Sequence, residues 1–348
     1  MRLEVRAHPP SLLQALAPVL AIALAMAVAS LPLALAGANV GTAYRQMVAA
    51  SVGSPFALAE TLTRATPLIF TGLAAAVAFR ARLWNIGAEG QLYLGAVAAV
   101  ALGSGTLPIP EPLVLPLVLL GGALAGALLM LGPTWLKLRL GVDEVVTTLL
   151  LNFVALLFVG LLLEGPMQDP MSLGWPQSAP MLDAATLPRL VERTRLHAGL
   201  PLAVAAAVLA WLYLERTVWG FSTRAVGSNA RAAAYAGMPV ATVLLRTGLI
   251  SGALAGLAGA CEVAGLKGYL TQDLSPGFGY SGIVVAMLAQ LNPLGVVLAA
   301  LFVAGVFVGA DGMSRTVGVP SYIADLVVAL SLLTMLLAGL AARYRIRR

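Results

Sequence analysis

The chain has 348 residues, 60% of them hydrophobic and only 10% charged, with a mean hydropathy of +0.92. Soluble globular domains carry about a quarter charged residues, so this composition excludes a soluble globule and predicts an all-α, polytopic integral membrane protein. The net charge of +6 comes from 21 basic residues scattered in short groups between apolar runs, without a basic cluster or interleaved aromatics; that pattern excludes nucleic acid as a partner and fits a bias of Lys and Arg toward one membrane side.

The N-terminus, Met1-Arg2-Leu3-Glu4-Val5-Arg6, is basic and precedes an apolar run from Leu12 to Ala36. At about 1.5 Å per residue that run can cross a hydrocarbon core of roughly 30 Å. Ala34-Leu35-Ala36 before Gly37 imitates a signal-peptidase site. The run is longer than the ~7–15 residue core of a cleaved signal, so it predicts an uncleaved anchor. A sparsely charged stretch leads to Glu60, and a span is predicted from about Thr61 to Phe79.

Phe79 to Leu94 reads Phe-Arg-Ala-Arg-Leu-Trp-Asn-Ile-Gly-Ala-Glu-Gly-Gln-Leu-Tyr-Leu, a rare polar stretch between two apolar runs. Gly87 and Gly90 bracket Glu89 and allow the backbone to bend. Hydrocarbon tolerates such a bend only where it is buried in protein or lines a cavity.

A span from about Gln91 to Leu107 follows, and Pro108, Pro110 and Pro112 mark a turn. Further spans are predicted from about Leu113 to Leu136, ahead of Lys137 and Arg139, and from about Glu144 to Leu163. Residues 164–198, rich in Pro, Asp, Ser and Arg, are too polar to span and too long for a tight connector, and predict one large extracytoplasmic loop. A span from about Leu200 to Leu214 leads to a basic segment, 215–246. Apolar runs near Thr247 to Leu266, Ile283 to Leu291, Leu294 to Ala310 and Tyr322 to Ala342 precede a basic tail from Arg343 to Arg348.

With both termini, the 80–82 and 137–139 pairs and residues 215–246 on the cytoplasmic side, 14 of the 21 basic residues lie inside. Arg45, Arg64, Arg189, Arg193, Arg195, Lys267 and Arg315 lie outside. The orientation is then N-in and C-in. Equal sides demand an even number of crossings, so ten apolar runs predict ten spans, or eight if Ile283 to Leu291 dips in and returns with its neighbour. That run is too short for an upright span.

An ionisable group within an apolar segment marks a functional site by default, because stranding it in lipid costs about 2.5–3.5 kcal/mol. Glu89 fits that description best; it is either a pathway or gating residue, or a cap or buried ion pair with Arg80 or Arg82. Glu144, Thr148 and Asn152, at i, i+4 and i+8, form one polar stripe on a helix of Leu, Val and Phe. They either line a cavity, or Asp143 and Glu144 serve the helix N-terminus while Thr147 and Thr148 bond back to the preceding turn.

Gly248, Gly252 and Gly256 recur every fourth residue, as do Gly305 and Gly309, which predicts close helix packing. Glu262, with Lys267 five residues on, is expected at an interface. Gly277-Phe278-Gly279-Tyr280-Ser281-Gly282 matches the dinucleotide-binding pattern in letters only, since no strand precedes it. It is better explained as a flexible lead-in to a short helix whose N-terminal dipole faces a cavity.

Cys261 alone cannot form an intrachain disulfide and is expected as a small packed residue, and His8 and His197 have no ligand partners at metal spacing. No metal site and no cofactor are expected. A Walker A loop needs Gly-Lys-Ser/Thr, but both lysines, Lys137 and Lys267, follow leucine. No Gly-x-Ser-x-Gly, His-Glu-x-x-His or Cys-His pairing offers a catalytic residue either.

Residues Arg224 to Met238 are mildly helical and basic, fitting either a solvated loop or a short alanine-rich helix closed by Gly237. With that segment in place, the chain resembles the permease subunits of bacterial ABC importers for nucleosides, simple sugars and branched-chain amino acids. The resemblance rests on Asn85-Ile86-Gly87-Ala88-Glu89-Gly90-Gln91, most typical of the nucleoside branch; on Gly141-Val142-Asp143-Glu144-Val145-Val146 with Asn152; and on Arg224 to Gly237. It extends over roughly residues 60–340. Asp143, Tyr280-Ser281 and Ala289-Gln290-Leu291 depart from the family wording.

The resemblance implies a single transmembrane permease domain, 1–348, in the bacterial inner membrane, with no enzymatic activity of its own. It implies separate ABC ATPase subunits, a second permease forming a heterodimer, an extracytoplasmic substrate-binding lipoprotein, and membrane lipid as surroundings. Asn85, Glu89, Gln91, Glu144, Thr148, Asn152 and Tyr280 would line the translocation path or its gate. Arg224, Gly227, Asn229, Arg231 and Gly237 would couple to the ATPase. The rival from another class is an ion-coupled secondary transporter using Glu89, Glu262 or Asp325; a scaffold or assembly factor would need no polar path.

Overall fold

The computed structural model describes residues 2–5, 23, 24 and 26–347. Helices α1 (Met26–Leu35) and α2 (Val40–Val52) form a pair bent by 117°. The bend falls at Gly37, φ +76°, and the Asn39 carboxamide restarts the helix by accepting the Thr42 N–H at 3.0 Å. Then come α3 (Pro55–Arg80), α4 (Ala88–Gly103), α5 (Glu111–Leu140), α6 (Glu144–Leu163), α7 (Gly199–Arg216), α8 (Val218–Ser228), α9 (Ala230–Tyr235) and α10 (Val240–Glu262). A π-turn (Val263–Lys267), α11 (Phe278–Leu288), α12 (Pro293–Val317) and α13 (Ser321–Arg343) complete the helices. The two termini, expected only as basic tails, pair as antiparallel strands β1 (Arg2–Val5) and β2 (Tyr344–Arg347).

The fold is that of an all-α polytopic membrane protein. Among the described residues six helices are long and apolar enough to cross a membrane: α3, α5, α6, α7, α10 with its π-turn, and α12; α1 and α2 add a seventh if they form one bent span. Among the described residues neither ten nor eight full-length spans are found. The runs expected at 91–107 and 283–291 form helices of 16 and 11 residues, and the first run, 12–36, lies largely outside the described residues. The stretch before Glu60 is helical as well, because α2 fills it and α3 starts at Pro55.

The chain divides into two compact units, residues 1–61 with 301–348, and residues 62–300. In the first, the Thr61 hydroxyl donates to the Ser51 carbonyl at 2.7 Å, and a Cβ on Gly309 would run into Met47. In the second, α4, α5 and α10 cross at glycines. A Cβ on Gly256 would run into the Gly122 carbonyl, and one on Gly95 into the Gly256 carbonyl. The ridge read from the sequence as packing is where these three backbones touch.

Residues 164–198 are tied down at the far end of this unit. Leu187 N–H donates to the Ala264 carbonyl of the π-turn at 2.8 Å, Met181 N–H to Gly268 at 2.8 Å, and Leu182 N–H to Gly103 at 2.8 Å. His197 is buried beside Gly199 and Gly265, and its Nδ1 accepts the Gly199 N–H at 3.1 Å. Burial pushes the imidazole down to about 4, so it is a neutral packing group at pH 7.

Candidate functional site

Between α3 and α4 the chain leaves helical geometry for residues 81–87, which frees backbone groups inside an apolar bundle. Buried polar groups of this kind must find partners, and the surrounding side chains supply them. The Asn85 carboxamide, fully buried, donates to Gln91 Oε1 and to Ser251 Oγ, both at 2.9 Å. Its oxygen accepts the Gly87 N–H at 2.9 Å and Gln91 Nε2 at 3.0 Å. Ser251 passes the link on to the Ala74 carbonyl at 2.7 Å. Asn85 therefore ties the bend to α3, α4 and α10 at once.

The polar stripe of α6 takes the other side of the bend. Glu144 accepts the Trp84 N–H at 3.2 Å and pairs with Lys137. Thr148 Oγ1 accepts the Ile86 N–H at 3.2 Å. Asn152 accepts the Gly90 N–H at 2.8 Å, donates to the Ile86 carbonyl at 2.9 Å, and reaches Tyr280 Oη at 3.2 Å. Thus each member of the stripe holds a backbone group of residues 84–90. The local bonds expected from α6 exist as well: Asp143 caps Val145 N–H at 2.8 Å, and Thr148 bonds back to the Glu144 carbonyl at 2.6 Å.

Glu89 faces a second break. After the π-turn, residues 268–277 run without helix until Gly277, φ +89°, starts α11. The Glu89 carboxyl oxygen accepts the Gly279 N–H at 2.6 Å, one of the donors that a helix N-terminus leaves unpaired. Ser275 Oγ accepts from Phe278 N–H at 2.9 Å, and Thr71 Oγ1 donates to the Phe278 carbonyl at 2.9 Å. Tyr93, one turn along α4 from Glu89, donates to the Gln272 carbonyl at 2.6 Å and accepts the Ser275 N–H at 3.2 Å. The short helix expected at the glycine-rich stretch is present, and what stands at its N-terminus is a protein carboxyl. Arg80 and Arg82, named as partners for Glu89, are engaged differently: Arg80 Nε donates to the Leu291 carbonyl at 3.1 Å, and Arg82 adopts φ +53° in the turn.

Tyr93, Ser251, Ser275 and Thr71 escaped the sequence, as did Arg64, whose guanidinium stands 5.8 Å from the Phe278 ring centroid. Only Tyr93 had a legible signal, its i+4 spacing from Glu89. Glu262, expected at an interface, is buried at 4% exposure, and Cys261 is buried as expected. Among the described residues no group of three or more His, Cys, Asp or Glu could hold a metal ion.

At the end of the unit that carries Arg80, α8 and α9 form a short helical pair. Arg224 pairs with Glu215 at 3.3 Å. Gly227 packs where a Cβ would strike the Arg80 carbonyl. Asn229 caps α9 through the Ala232 N–H at 3.1 Å. Gly237, φ +81°, ends it with Gly237 N–H on Ala234 at 2.9 Å and Met238 N–H on Ala233 at 3.0 Å. Arg231 and Tyr235 are exposed.

Apolar helices of spanning length around a buried polar seam and an interrupted segment define a multi-pass membrane transport protein. Residues 57–339 match the family described as branched-chain amino acid transport system / permease component, and the chain belongs to that family of ABC transporter permeases. It is 38% identical to the glucose ABC transporter permease protein TsgB13 of Haloferax volcanii, over 99% of this chain and 93% of that protein. It is 37% identical to the guanosine ABC transporter permease protein NupP of Bacillus subtilis, over 95% of this chain and 94% of that protein. It is 31% identical to the nucleoside ABC transporter permease protein NupB of Lactococcus lactis, over 90% and 88% respectively. No solved structure matches the chain.

Proposed function

We propose that the protein is the pore-forming permease of an ATP-driven importer for nucleosides, residing in the cytoplasmic membrane with both termini inside and acting as one transmembrane domain, 1–348. The observation that carries the transport reading is the contact between Glu89 and the N-terminus of α11. It joins two interrupted segments in the middle of an apolar bundle, a place where irregular backbone persists only beside protein or a cavity. Asn85, Glu89, Gln91, Glu144, Thr148, Asn152 and Tyr280 then form the gate region and the path beside it. Tyr280, 38% exposed, is the most exposed member of this group.

ATP is hydrolysed by separate ATPase subunits that dock on the α8–α9 segment through Arg224, Gly227, Asn229, Arg231 and Gly237. Gly227 lies against Arg80, and Arg80 holds Leu291 just beyond α11, so a push on α8 has a short protein route to the interrupted segment. A second permease completes the pore as a heterodimer, and a substrate-binding lipoprotein delivers cargo outside.

Nucleosides are favoured by the Asn85-to-Gln91 block and by the guanosine and nucleoside relatives. A glucose importer is the second reading, favoured by the relative that shares 38% identity. The test is uptake of labelled guanosine by cells of a host without nucleoside import that express the permease with its ATPase, second permease and binding lipoprotein. Saturable uptake competed by other nucleosides and not by excess glucose is expected; glucose uptake unaffected by nucleosides reverses the assignment.

A further inference from the structure

Helices α7 and α8 are separated by Thr217 alone. The Thr217 hydroxyl donates to the Tyr213 carbonyl at 2.6 Å and accepts the Gly220 N–H at 3.0 Å. A Cβ on Gly220 would run into the Tyr213 and Leu214 carbonyls, so α8 is folded tightly back on the last turn of a membrane-crossing helix. Whatever depth the bilayer gives the end of α7, it gives the first turn of α8.

That turn is apolar on its outer side. Val218 is 78% exposed, Trp219 62% and Phe221 55%, while Gly220, Thr223 and Val226 are buried. One guanidinium group stands against it, and a second, that of Arg216, belongs to the last residue of α7. Arg246, from α10, stands 5.3 Å from the Trp219 ring and 5.9 Å from the Tyr213 ring. It also donates to Tyr213 Oη and to the Trp219 carbonyl, both at 3.2 Å. Arg216 stands 5.4 Å from the Trp211 ring. Glu215 is the sole acid between residues 199 and 261, and it is paired with Arg224. Neither Arg216 nor Arg246 pairs with a carboxylate among the described residues.

Trp and Tyr collect at the headgroup level of a bilayer, exposed apolar side chains on a short helix lie into the acyl boundary, and unpaired arginines there attract anionic lipid. We propose that Arg216 and Arg246 hold the phosphate headgroup of an anionic phospholipid, whose acyl chains cover Val218, Trp219 and Phe221. Charge selects this occupant: the one acid of the neighbourhood, Glu215, is taken by Arg224, which leaves Arg216 and Arg246 to attract an anion. The exposed Arg231 and Tyr235 of α9 lie beyond Asn229 and give a protein partner a separate surface.

The full-length protein is placed in phosphatidylcholine nanodiscs that contain an equal mole fraction of either brominated phosphatidylglycerol or brominated phosphatidylcholine. Bromine quenches nearby tryptophan, and the difference between the native chain and Trp219→Phe isolates Trp219 from the other four of five tryptophans. Quenching of the Trp219 component by the glycerol lipid is expected to be at least about threefold stronger than by the choline lipid. Arg216→Gln with Arg246→Gln removes that excess. Arg216→Gln alone touches no protein hydrogen bond and cuts the excess about in half, which keeps the test sound should the double variant fold poorly. Equal quenching by the two lipids overturns the site. So does the absence of Trp219 quenching by either lipid, the result expected if a protein partner or water covers the face.

Discussion

Glu89 accepts the Gly279 N–H from within an apolar bundle, and substitutions at this bond tell a brace from a substrate ligand. A carboxamide oxygen can accept the same bond, so Glu89→Gln should keep the thermal stability of the purified permease within about 1 kcal/mol. Glu89→Ala leaves the donor buried and unpaired, at about 1–3 kcal/mol, and should lower both stability and uptake. If Glu89→Ala is as stable as the native chain but inactive, Glu89 acts on cargo instead. Composition and hydropathy singled out Glu89 as an acid in an apolar segment, but its partner lies 190 residues away. Single-sequence patterns carry no information at that distance. The stripe of Glu144, Thr148 and Asn152 was legible because it is a helix-periodic feature. What it holds was not, because Trp84, Ile86 and Gly90 contribute backbone groups, which have no signature of their own.

At the scale of elements, glycine sets how closely α4, α5 and α10 approach. Gly256→Val puts a branched side chain against the Gly122 carbonyl and should destabilise the protein by about 1–3 kcal/mol or more, read as a drop in melting temperature in detergent. Gly132→Ala, where the added methyl meets nothing within 4 Å, should be neutral or slightly stabilising because alanine favours helix. Equal effects of the two would show that helix propensity, not close packing, governs this crossing. The spacing of Gly248, Gly252 and Gly256 was sufficient to predict a close crossing. Which helix fills it was not, since Gly122/Gly126 of α5, Gly37/Gly41 and Gly305/Gly309 share the same spacing and only the fold shows that α5 meets α10.

At the scale of the molecule, the proposed function has coupling run from α8 and α9 to the interrupted segment. Arg231 and Tyr235 are exposed on α9, so Arg231→Asp with Tyr235→Ala should leave folding and insertion unchanged. In the assembled importer the pair should remove most substrate-stimulated ATP hydrolysis. Undiminished ATPase activity would place the docking surface elsewhere. Gly237 is a poorer probe, because a Cβ there meets nothing within 4 Å and a substitution acts mainly through its φ of +81°. The amino-acid sequence by itself determined that this is an all-helical membrane permease, since hydropathy, charge placement and the Asn85-to-Gln91 block are local and additive along the chain. Only the tertiary structure decided that residues 164–198 are strapped to the π-turn and that Glu89 meets α11. Each depends on hydrogen bonds between segments far apart in the chain, and burial in hydrocarbon makes those bonds obligatory without naming the partners.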